Sequence, residues 1–133
     1  MTLSIYPGRV LHADPDRLLR FGANFTATDE HRVRSPHFFL CVNLAGREGL
    51  WVPVYSQDKP ARLQIPEQQK AGHWAWVYRP SFIMPKQVWR VPHRAIRLAA
   101  RDYSTESHPN FVREPFVRAI GCELGFAHRT ANC

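Results

Sequence analysis

Trp74, Trp76 and Tyr78 recur at every second position of a short apolar run, and Trp51 and Tyr55 share one parity in another. On a β-strand, alternate side chains point to the same face. A row of flat rings edged by guanidinium groups would stack unpaired bases, each worth about 1–3 kcal/mol. Arg94, Arg97 and Arg101 lie at i, i+3 and i+7, a single stripe if that segment is helical, and such a stripe could follow a phosphate backbone. Both sets also have a plainer reading. Rings sealed beneath a terminal helix form a second core layer, and an arginine stripe is the solvated side of an amphipathic helix. Indole N–H groups usually require a partner, so one of Trp51, Trp74 and Trp76 is expected to line a cleft.

Metal and nucleophile patterns are absent from the sequence. The histidines are His12, His31, His37, His73, His93, His108 and His128, and none forms an HxxxH or HExxH pair. Cys122, His128 and Cys133 come nearest to a zinc set, but no CxxC pair completes it. No GxSxG elbow, P-loop or dinucleotide fingerprint occurs, so neither a metal nor a cofactor is expected.

The elements that must position these residues belong to a short, basic chain. Its 133 residues suit one domain, 1–133, able to fold without metal or disulfide. The formal charge is +7, and Lys59, Lys70 and Lys86 are the only lysines, so arginine carries most of it. Planar guanidinium forks favour an anionic partner, nucleic acid foremost, RNA above DNA, or else an acidic protein. No run approaches the length of a membrane span. With three cysteines and no apolar leader, the expectation is a cytoplasmic protein with free thiols.

Eleven prolines exclude long helices. Pro7-Gly8 marks an early turn, and Asp14-Pro15 starts a short helix that stops at Gly22. Residues 23–35 read as a surface loop. His37 to Asn43 reads as a buried strand, hairpinned through Gly46 and Gly49 to Leu50–Tyr55. Further strands are expected at 61–65, at 73–78 and within 82–91, and a polar loop at 66–72. Helices are expected at 94–101 and 115–120, the latter stopping at Gly121, with a mobile tail at 127–133. Strands over about residues 5–92 followed by a helical segment over about 93–125 predict a mainly β protein, a small barrel with short terminal helices.

The order of segments resembles the MazF/PemK toxins. Pro7-Gly8-Arg9-Val10 looks like their opening turn, and Arg34-Ser35-Pro36-His37-Phe38-Phe39-Leu40 is similar to the arginine-proline loop entering the first long strand. Trp51-Val52-Pro53-Val54-Tyr55-Ser56 resembles the strand ending in P-x-T-S. Ser81 to Val91, with Gln87, looks like the later S-x-V-x-x-x-Q-I-R-x-V segment. The resemblance implies an SH3-like β-barrel that cleaves RNA, forms oligomers and is neutralised by an acidic antitoxin. It implies that Arg34 stabilises charge on the scissile phosphate, with Tyr55 or Ser56 at the threonine position and His37 as a general base.

Three functions therefore stand open: a non-catalytic binder of single-stranded RNA, a toxin-like endoribonuclease, and a protein-interaction module. The first two need cationic groups and rings on one accessible side. The third does not.

Overall fold

The computed structural model describes residues 3–27, 31–101 and 108–124. In chain order its elements are β1 (Val10–Ala13), α1 (Pro15–Arg20), β2 (Asn24–Phe25), β3 (His37–Ala45), β4 (Glu48–Tyr55) and β5 (Leu63–Gln64). A 3-10 turn at Glu67–Gln69 leads to β6 (Lys70–Ala71), α2 (Trp74–Val77), β7 (Phe82–Ile83), β8 (Trp89–Pro92) and α3 (His93–Ala99). The chain continues through β9 (Ala100–Arg101) and β10 (Phe111–Val112) to α4 (Glu114–Glu123).

The β3–β4 hairpin organises the rest. All pairings are antiparallel, and the main sheet runs β2-β8-β4-β3-β1-β9, with β7 joining the end of β4 and β5 joining β7. Alternation along β3 sends Phe38 and Leu40 to one apolar cluster, with Val52, Trp76, Val112 and Ile120, and Phe39 and Cys41 to another, with Trp51, Trp89, Leu18 and Ile96. A bulge at Val42, between the pairs Cys41↔Trp51 and Asn43↔Leu50, shifts the register by one residue. Both faces of the central strands are thus buried, which is why the run His37–Asn43 is apolar almost throughout.

The result is mainly β with four helices, as the strand signals predict. No closed barrel is found: among the described residues β2 and β9 are separate edges. The first helix follows its signals. Asp14 caps it by accepting from the Asp16 N–H at 3.0 Å, Pro15 enters it, and Gly22 at φ 107° ends the turn.

Four expectations are corrected. Residues 73–78 form no strand but helix α2 (Trp74–Val77), capped by His73 and Tyr78. His73 Nδ1 accepts from Ala75 N–H at 3.1 Å, and Gly72 at φ 122° turns the chain so tightly that a Cβ there would lie 2.3 Å from Asn110 Oδ1. The helix expected at 94–101 ends at Ala99, because Ala100 is extended and carries Arg101 into an edge strand beside β1. Gly121 does not stop the last helix but is buried inside it. The loop at 66–72 includes β6, paired with β10. The expected tail at 127–133 lies outside the described residues.

The cysteine expectation also changes. Cys41 is free and buried, whereas Cys122 is disulfide-bonded, so the three are not all thiols. Among the described residues no helix is long and apolar enough to cross a membrane.

Candidate functional site

His37 opens β3 and Tyr55 closes β4, one step beyond the Phe38↔Val54 pair. Antiparallel pairing therefore brings two residues 18 positions apart edge to face, with ring centroids 5.2 Å apart at 68°. His37 Nδ1 lies 2.7 Å from the Ser35 carbonyl oxygen. A carbonyl only accepts, so Nδ1 carries the hydrogen and the neutral ring presents its lone pair at Nε2. Burial lowers the His37 pKa below its ordinary value. The hydrogen bond to the Ser35 carbonyl opposes that shift, and the charges of Arg79 and Arg62 reinforce it.

Gln87 fixes Tyr55. The amide is 2% exposed, and its Oε1 accepts from the Val33 N–H and the Trp89 Nε1–H, each at 2.9 Å. Those two donors orient the amide, so Nε2 donates: to the Tyr55 hydroxyl at 2.9 Å and to the His31 carbonyl at 3.2 Å. The phenol oxygen accepts from Gln87 and keeps its own proton to give. Burial raises the Tyr55 pKa, so this phenol stays protonated through neutral pH.

Arg62 sits over the same ring, its guanidinium carbon 3.9 Å from the Tyr55 centroid. Its Nη1 donates to the Gln57 carbonyl at 2.9 Å, while its buried Nε has no hydrogen-bond partner among the described residues. Both charges that act on His37 are cationic. The cluster thus offers a basic nitrogen, an acidic hydroxyl and guanidinium charge, the set needed to hold an anionic ester and move protons on either side of it.

Of the residues expected from sequence, His37 and Tyr55 come together. Ser56 is exposed just past the strand end, and Arg34 is exposed on the loop that Gln87 ties down through His31 and Val33. The cations acting on His37 are Arg79 and Arg62 rather than Arg34.

The expected aromatic row is dismantled. Trp51 and Trp76 are 0% exposed and cannot stack bases, whereas Trp74 and Tyr78 are each 68% exposed. The arginine stripe is broken as well. Arg94 and Arg97 are exposed on α3, but Arg97 Nε donates to the Leu3 carbonyl at 3.2 Å, and Arg101 sits on β9 with its side chain outside those described.

Sequence reasoning missed Arg62, Arg79 and Gln87. Gln87 stood inside the segment that carried the toxin resemblance, so the signal was present. No local pattern marks the two arginines.

Other reactive groups are accounted for. Burial pushes the Cys41 thiol up to about 12, which removes it as a nucleophile. Among the described residues no three potential ligands gather for a metal, and His128 and Cys133 lie outside them. Lys70 is 5% exposed and donates to the carbonyls of Trp76 and Arg79 and, at 3.0 Å, to Ser81 Oγ, which fastens the end of α2. No family model, curated protein or solved structure matches the chain.

Proposed function

We propose that this chain binds single-stranded RNA and cleaves it at the His37–Tyr55 cluster, as an endoribonuclease similar to the MazF/PemK toxins. On this reading the bent sheet, in which β4 pairs with β8 along one half and β7 along the other, is an SH3-like barrel left open between β2 and β9. An acidic antitoxin-like protein is the corresponding partner. The single observation that carries the proposal is a lone pair at His37 Nε2 beside a phenol that retains its proton, both under guanidinium charge.

His37 Nε2 takes the proton of a ribose 2′-hydroxyl, and the 2′-oxygen bonds to the adjacent phosphorus. The bond from phosphorus to the next 5′-oxygen breaks, and that oxygen takes the Tyr55 proton. The products are a 2′,3′-cyclic phosphate and a 5′-hydroxyl. A proton passing from the imidazolium to the phenolate, through water, resets the site. Arg62 and Arg79 stabilise the charge that builds on the phosphoryl oxygens.

Incubation of the purified protein with mixed single-stranded RNA tests the reading. Cutting that slows about 10²- to 10⁴-fold in His37→Ala is the expected result. RNA that is retarded but intact identifies a non-catalytic binder. RNA neither cut nor retarded leaves the protein-interaction module.

A further inference from the structure

We infer that α2 carries a base-stacking subsite, formed by Trp74 and Tyr78, for a nucleotide flanking the reacting phosphate. This inference rests on the RNA reading above and adds to it a defined place for an unpaired base. Trp74 and Tyr78 are four residues apart, one turn along the same helical face, and each is 68% exposed. Among the described residues no other large apolar side chain is as exposed. Packing of α2 does not require them, because Trp76, with its ring 5.3 Å from that of Phe38, and the half-buried Val77 fill the core beneath.

The helix is nevertheless held at both ends. Asn110 Oδ1 accepts from the His73 N–H at 2.7 Å, His73 caps the first turn, and the Lys70 ammonium holds the last carbonyls. The His73 ring lies 5.3 Å from that of Trp74 at 32°, which braces the indole from one side. Two exposed rings on a rigidly tied turn are pre-ordered, so a base that stacks on them pays little ordering entropy.

Charge selects the occupant. No acidic residue occurs from Lys70 to Lys86, and Arg79, immediately after Tyr78, is one of the two cations whose fields reach His37. Flat rings beside a guanidinium fit a base joined to a phosphate. Arg79 also lines a cavity of about 200 Å³ with His12, Phe38 and Ala75, which joins α2 to the start of β3.

The four tryptophans supply the readout, because Trp51, Trp76 and Trp89 are 0% exposed and Trp74 alone is open. Single-stranded oligoadenylate, titrated into the His37→Ala protein so that it stays intact, is expected to quench the intrinsic fluorescence. Trp74→Phe should abolish the quenching and bind within a few-fold of its parent. Trp74→Ala with Tyr78→Ala should keep the parent's circular dichroism and melting temperature and bind roughly 5- to 150-fold more weakly per base lost. An abasic oligonucleotide should bind both proteins alike.

Oligoadenylate that binds the double variant as tightly as its parent, without quenching, overturns the subsite and leaves the RNA reading standing. Failure of the parent protein to bind any RNA overturns both. Equal quenching by oligoglutamate also overturns the subsite, since it shows recognition of charge alone.

Discussion

Gln87 Nε2 donates to the Tyr55 hydroxyl at 2.9 Å while Gln87 Oε1 accepts from Val33 and Trp89, so one buried amide ties the arginine-bearing loop, the β4 end and β8 together. Gln87→Met keeps most of the volume but strands two buried N–H donors. Each unsatisfied group costs about 1–3 kcal/mol. Urea unfolding should show at least that loss, and RNA cleavage should fall with it as Tyr55 loses its orientation. A variant of unchanged stability would show that water replaces the amide without cost.

The His37 environment sets a pH dependence. Its pKa is lowered from 6.5 chiefly by burial, with Arg79 and Arg62 adding to the effect. The base acts when neutral, so the cleavage rate should be level around pH 7 and fall as pH drops through an inflection below 6.5. The same depression stabilises the fold above 6.5, and this contribution disappears as pH falls through the folded value. Tyr55, raised by burial, keeps its proton across this range, so the alkaline limb should begin above pH 10. An acid inflection at or above 6.5, in rate against pH, would remove His37 as the base.

Arg62 contributes geometry as well as charge. Its guanidinium carbon lies 3.9 Å from the Tyr55 ring centroid, and a planar guanidinium can stack there as an ammonium cannot. Arg62→Ala and Arg62→Lys are both expected to lower kcat/KM for RNA, by about 10²- to 10³-fold for the alanine variant, with the lysine variant recovering only part of the loss. Full recovery by lysine would reduce the role of Arg62 to that of a point charge.

Much of the frame was legible. The hairpin announced itself because β3 is apolar on both faces, and α1 because Asp14, Pro15 and Gly22 each carry a local signal. Residues 73–78 misled because W-A-W-V-Y satisfies a period of two and also a helical i, i+4 pair. The choice is made by partners far along the chain, Asn110 at His73 and Lys70 at the helix end. His37 and Tyr55 were each readable, but their meeting depends on hairpin register, and Arg62 joins them from a segment with no motif. Trp51 looked like a surface ring and is instead enclosed over Gly49, where a Cβ would lie 2.5 Å from its Nε1.

Lys70 links the fold to the α2 surface. Replacing it with methionine leaves the Trp76 and Arg79 carbonyls and Ser81 without their shared cationic donor, and a hydrogen bond to a charged group is worth about 1.5–3 kcal/mol. Lys70→Met should lower the unfolding free energy by at least that amount and raise the access of acrylamide to Trp76. An unchanged quenching profile would show that α2 holds without its ammonium.

The chemistry at the 3′ end of the RNA product tests the central claim most directly. Mass analysis of fragments released from single-stranded RNA by the purified protein should find a 2′,3′-cyclic phosphate opposite a 5′-hydroxyl, and His37→Ala should release them about 10²- to 10⁴-fold more slowly. A 3′-hydroxyl with a 5′-phosphate, or fragments that persist unchanged in His37→Ala, would contradict proton abstraction from the ribose by this histidine.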